Sequence, residues 1–267
     1  MKLNSLAVVI SLVAVLMLAS ACWRKSPAHI GFSNLGPPVM LPKHVVHAEV
    51  DPSILKDSAV IVTIPGTQQF YVGAEQYPKD QVGGKVSRLL EKEAEPNRIV
   101  YLGGGLSLDY GEVSNVINDL RKVGVVRIAL RVETPAGSSG PSILRVQIPP
   151  EPNVNDDLSF NPSPLSLVVS IAKDLKLKLN QEPMGAAEDT GQLTQKLTAV
   201  FQKRKEQHAY KPGLETRTDL SEDERVEKTV VVKAQRSTRY ADVVSLIDAI
   251  KGASANPIVL QIDDLSD

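Results

Sequence analysis

Leu108–Leu130 reads LDYGEVSNVINDLRKVGVVRIAL, and Thr238–Leu260 reads TRYADVVSLIDAIKGASANPIVL. Laid on each other at an offset of 130 residues, Tyr110 meets Tyr240, Val113 meets Val243 and Ile117 meets Ile247. Ile128 and Leu130 likewise meet Ile258 and Leu260. In the first copy Val113, Val116, Ile117 and Leu120 form one helical stripe, Gly124 suits the residue just past a helix C-terminus, and Arg127–Val132 reads as a strand. In the second, Val243, Leu246, Ile247 and Ile250 make the same stripe. Glu112 and Asp242 fall in the first turns, where an acidic group favours the helix dipole. A segment written twice signals an internal repeat, and the repeat decides the fold.

The repeat extends N-terminally at a smaller offset of 107 residues. Val39-Met40-Leu41-Pro42 lies on Val146-Gln147-Ile148-Pro149, and VIVTI (Val60–Ile64) lies on LVVSI (Leu167–Ile171). Phe70 and Val72 fall on Leu177 and Leu179, and KVSRLL (Lys85–Leu90) falls on QLTQKL (Gln192–Leu197). The two offsets differ by 23 residues, one insertion in the second copy: the charged stretch Lys205–Glu227, KEQHAYKPGLETRTDLSEDERVE, which reads as a solvated loop.

The repeat also judges the one stretch that resembles a phosphate cradle. Gly103-Gly104-Gly105 stands between a short apolar run and a helix, but the second copy has Lys233-Ala234-Gln235 there. Neither GK[ST] nor GxGxxG is present. The glycines are therefore expected to be a permissive turn after a strand rather than a nucleotide site.

Unit one reads as strands near Ala59–Ile64 and Gln69–Val72, a helix near Val82–Glu93, a strand near Ile99–Leu102, and the helix and strand already described, and unit two repeats this order. The helix faces are Val82, Val86, Leu89 and Leu90 in the first copy and Leu193, Leu197, Val200 and Phe201 in the second. The expected fold is α+β: two tandem two-layer sandwiches, each with two helices on a small mixed sheet, following an N-terminal signal or anchor helix. The expected boundaries are 1–22 for the signal or anchor, 23–58 for an extended linker and 59–133 for unit one. A linker at 134–164, opening with TPAGSSGPS, and unit two at 165–264 with its insertion at 205–227 complete the chain. About 30 residues of tether let the two units meet as an intramolecular pair, a monomer in solution.

The chain of 267 residues is 42% hydrophobic with a net charge of −1, which gives no electrostatic case for nucleic acid. Leu6–Ala21 is uncharged and ends at Cys22, the only cysteine, in the sequence Ala19-Ser20-Ala21-Cys22. This looks like a bacterial lipobox, with Cys22 as the lipidated residue. An uncleaved signal anchor and simple cleavage remain as alternatives, and all three export the rest of the chain.

The duplicated pattern resembles the periplasmic domain of the ExbD/TolR family of biopolymer-transport proteins. The resemblance rests on VMLPK and VQIPP, on the blocks Tyr110–Asn118 and Tyr240–Asp248, and on the closing RIAL and PIVL strands. It implies energy transduction across a bacterial envelope. Its implied partners are an ExbB/TolQ-like proton-channel subunit or a TonB/TolA-like protein, with peptidoglycan as a further binding candidate. The family's usual transmembrane helix carries an essential aspartate. Leu6–Ala21 contains no Asp or Glu, so this chain is expected not to be the proton relay itself. Tyr110 and Tyr240 are the candidate partner contacts, or else rings packing a strand-to-helix junction. The alternative reading is a lipoprotein that binds peptidoglycan or another envelope protein without a motor.

Little reaction chemistry is written in the sequence, and no enzyme, cofactor or metal is expected. His44, His47 and Glu49 are near neighbours, but at that spacing in an extended stretch the histidines do not face one way. His29 and His208 are isolated, GSSG (Gly137–Gly140) sits in the linker, and Asp263-Asp264 reads as a solvated end.

Overall fold

The computed structural model describes residues 35–43, 45–94, 98–149, 164–263 and 265–266, all within one unit, Asn34–Asp267. The expectations for Leu6–Cys22, His29, His44 and Asp264 fall outside these residues. Among the described residues no helix is long and apolar enough to cross a membrane.

A two-residue strand β1 (Glu49–Val50) and one 3-10 turn (Pro52–Leu55) lead into the first copy. That copy is β2 (Val60–Ile64), β3 (Phe70–Val72), β4 (Glu75–Tyr77), α1 (Lys79–Leu90), β5 (Val100–Gly104), α2 (Tyr110–Lys122) and β6 (Arg127–Val132). After β7 (Ser142–Gln147) the second copy is β8 (Leu167–Ile171), β9 (Lys176–Leu179), β10 (Glu182–Ala186), α3 (Gly191–Glu206), the one-turn α4 (Glu222–Arg225), β11 (Val230–Ala234), α5 (Tyr240–Gly252) and β12 (Ile258–Leu260). Helix α2 ends where Gly124 takes φ +83°, a left-handed conformation that glycine adopts without steric cost.

The expectation of two separate sandwiches is overturned at the sheet. All twelve strands among the described residues belong to one mixed sheet, in the order β10-β9-β8-β11-β12-β7-β6-β5-β2-β3-β4, with β1 beside β7. Two small sheets would have ended at β6 and β12 with unpaired backbone groups, an unfavourable edge. Strand β7, inside the span expected to be linker, closes the gap. It pairs antiparallel with β6 over six residue pairs, Arg127↔Gln147 to Val132↔Ser142, and parallel with β12 through Val259↔Gln147. Strands β6 and β12 therefore run in opposite directions, and the two halves face each other about an approximate two-fold axis.

Alternation along each strand sends one set of side chains to the helices and the other to the opposite face. Val60, Val62, Val100, Leu102, Ile128, Leu130, Val230, Val232, Ile258 and Leu260 join the apolar stripes of α1, α2, α3 and α5 in a single buried core spanning both halves. Each such side chain contributes about 1.5–3 kcal/mol when fully buried. On the opposite face of half one a smaller cluster, Ile61, Tyr101, Ala129 and Ile143, lies under Ile54 of the 3-10 turn.

Candidate functional site

The two tyrosines singled out by the repeat lie at the axis between the halves. Symmetry-related loops pair there as short antiparallel backbone: the Tyr110 N–H donates to the Thr238 carbonyl (2.7 Å) and the Tyr240 N–H donates to the Leu108 carbonyl (2.8 Å). Both rings are about 1% exposed, and burial pushes both phenols well up from their ordinary pKa. Tyr110 Oη donates to the Gln261 carbonyl at 3.0 Å, whereas Tyr240 Oη is buried and has no hydrogen-bond partner among the described residues. Their rings face the other half of the same chain rather than solvent.

This contact also explains the glycine triplet, and it corrects the reading of a turn. Gly103 and Gly104 lie within β5, and none of the three glycines sits in the left-handed region. A Cβ on Gly104 would stand 2.6 Å from the Tyr240 ring, and one on Gly105 would stand 2.4 Å from the Pro65 carbonyl oxygen. Glycine is required there for close approach. Gly111 does the same against Arg236, where a Cβ would lie 3.1 Å from its carbonyl oxygen.

A second polar cluster ties the segment before the first copy to the joint. Asp51, 6% exposed, accepts from the Ser53 N–H (2.9 Å), Tyr101 Oη (3.1 Å) and Arg145 Nη2 (2.6 Å). Burial alone would raise the Asp51 carboxyl, but the Ser53 N–H, the Arg145 guanidinium and the Tyr101 hydroxyl together pull it below the usual carboxylate range. Burial first, then the Asp51 charge, pushes Tyr101 up to about 12. Neither group exchanges its proton near neutrality, so beside a cavity of about 160 Å³ the pair serves as a clasp. Glu49 is held by Arg145 (3.1 Å) and by Lys251 of α5. The Val46 and His47 N–H groups donate to the Asp248 carboxylate at 3.0 and 2.6 Å.

The scattered titratable residues find structural partners instead of converging. His47 Nδ1 lies 3.4 Å from Asp248, and among the described residues no three His, Cys, Asp or Glu side chains gather as metal ligands. His208 contacts the Tyr210 hydroxyl (2.8 Å), and Asp263 takes the Arg121 guanidinium at 2.8 Å. Cys22 lies outside the described residues.

The sheet face of half two that points away from the helices forms a trough of about 390 Å³. Strand register sets Lys178, Ser170 and Lys233 in one row across β9, β8 and β11. Lys176, Asn180, Gln235 and Val168, the last 37% exposed, border that row. Among the described residues Asp174 is the acidic side chain lining the trough, where it pairs with Lys176 at 2.6 Å, and Ser266 lines the trough as well. Among the described residues Lys178 and Lys233 pair with no carboxylate. The alternation Lys176-Leu177-Lys178-Leu179 is the sequence signal that one face of this strand is basic and open, a signal independent of the repeat.

No family model matches the chain, and a search of curated proteins returned no match.

Proposed function

We propose that the protein is an envelope-anchored periplasmic binding and scaffold component of an ExbD/TolR-type biopolymer-transport or energy-transduction system. The observation that carries this reading is the joint between the halves. Two copies of a unit resembling a dimerising periplasmic domain pair about an approximate two-fold axis within one chain, sharing one sheet and one core. The chain is a scaffold rather than the proton relay, because Leu6–Ala21 offers no carboxylate. The buried Asp51 and the half-exposed Glu49 spend their oxygens on holding the molecule together.

Cross-linking in intact membranes followed by purification through the full-length chain tests the proposal. The expected captures are a proton-channel subunit or a TonB/TolA-like protein. Recovery of cell-wall fragments alone would replace the transport reading with that of a peptidoglycan-binding lipoprotein. The anchor has its own test: Cys22→Ser is expected to release the protein from membranes or stall it as precursor, and unchanged size and fractionation would exclude lipidation.

A further inference from the structure

In half one the sheet face opposite the helices is covered by the chain itself. Arg131 Nη1 donates to the Leu35 carbonyl at 2.8 Å. A Cβ on Gly36 would stand 2.6 Å from Thr63 Oγ1 and 3.0 Å from the Gly73 carbonyl oxygen, and one on Gly103 would lie 3.5 Å from Leu41 Cδ2. Residues 35–42 thus lie over Thr63, Gly73 and Gly103. The offsets of the repeat carry these three onto Ser170, Asn180 and Lys233, which line the open trough of half two. The backbone correspondence is close: Gly73 and Asn180 both take positive φ, +60° and +47°, at the same turn.

We propose that this trough is the docking site for an extended, carboxylate-bearing peptide segment of a partner protein. The covered face shows that a backbone segment packs on this surface against Thr63, Gly73 and Gly103, and β8, β9 and β11 repeat that surface. The side chains have changed in one direction: Gln69, Tyr71 and Gly103 in half one correspond to Lys176, Lys178 and Lys233 in half two. Neighbouring strands lie about 4.8 Å apart, which sets the Lys178 and Lys233 backbones about 10 Å apart with Ser170 between them. Carboxylates at alternate positions of an extended chain, about 6.8 Å apart on one face, reach both ammonium groups, because lysine stems are long and flexible. Val168 and the aliphatic lysine stems supply apolar floor beneath the peptide. The assignment rests on the partner-binding reading above and names the chemistry of the partner.

The test uses the full-length chain in detergent micelles and a fluorescein-labelled peptide, Pro-Glu-Val-Glu-Val-Glu-Pro, read by anisotropy. Binding is expected, weakening as salt rises. K178E/K233E is expected to weaken it about tenfold. K92E/K203E, with the same net charge but altered outside the trough, is expected to leave it unchanged, and both variants should keep the wild-type unfolding midpoint. No loss in K178E/K233E, or equal loss in both, would overturn the assignment. Tighter binding of an alginate oligosaccharide, abolished by K178E/K233E, would overturn it in favour of an anionic polysaccharide. A peptide that fails while the membrane capture succeeds removes the trough assignment alone. Failure of the capture with intact peptide binding removes the transport reading alone.

Discussion

At the scale of single residues, Gly104 and the two tyrosines make the sharpest predictions. Gly104→Ala drives a methyl into the Tyr240 ring in a fully packed interior, and overpacking of this kind is expected to destabilise by about 1–3 kcal/mol in chemical denaturation. Tyr110→Phe loses its bond to the Gln261 carbonyl and is expected to destabilise by about 1 kcal/mol. Tyr240→Phe removes a buried hydroxyl that has no partner among the described residues, so its midpoint should match or exceed that of the wild type. Equal losses for both Phe variants would mean that Tyr240 Oη is satisfied in solution. In the sequence the triplet reads as a permissive turn, whereas Gly104 and Gly105 serve a close approach. A turn and a close approach leave the same letters, and the side chain that makes the approach is 136 positions further on. The tyrosine positions were legible from the repeat, whereas their burial follows from the pairing of the halves.

Among the elements, the helices were the most legible, because three- and four-residue apolar spacing leaves few alternatives. Strand β7 was not. Its alternating Leu144-Arg145-Val146-Gln147 follows a Pro-, Gly- and Ser-rich stretch that hides its start, and the partners that make it central are distant in sequence. The edge strands β4 and β10 lack an apolar rhythm altogether, as suits short polar edges. The insertion needs correcting at its ends. Val226 is fully buried, and Arg204 Nη1 donates to the buried Glu227 backbone carbonyl at 2.8 Å. Deleting residues 211–220 is expected to shift stability by no more than about 1 kcal/mol, since surface loops are inexpensive to shorten. Arg204→Ala, which takes its donor from the buried Glu227 carbonyl, is expected to lose about 1–3 kcal/mol. The segment carrying β1 predicts a pH response. Asp51 and Glu49 have depressed pKa values in the folded state, so their contribution to stability is present above the unfolded carboxylate range, near pH 4, and is lost as pH falls through the folded values. Asp51→Asn should therefore flatten the fall in unfolding midpoint between pH 6 and pH 3. A slope equal to that of the wild type would remove Asp51 from the account.

For the whole molecule, one core running through both halves predicts one cooperative unfolding transition by calorimetry and by fluorescence, where separate sandwiches would give two. The duplication was legible as two offsets and an insertion, and the fusion was not, because nothing local in β6, β7 or β12 states which edge each will meet. Strand β7 is antiparallel to one neighbour and parallel to the other, and so belongs to both halves at once. For genetic dissection, this means that cutting the gene within codons 135–140 yields no pair of independent domains. Each fragment alone would display a raw edge and accumulate as insoluble material, whereas co-expression should restore a soluble, non-covalent complex, making the protein a ready-made split-complementation pair.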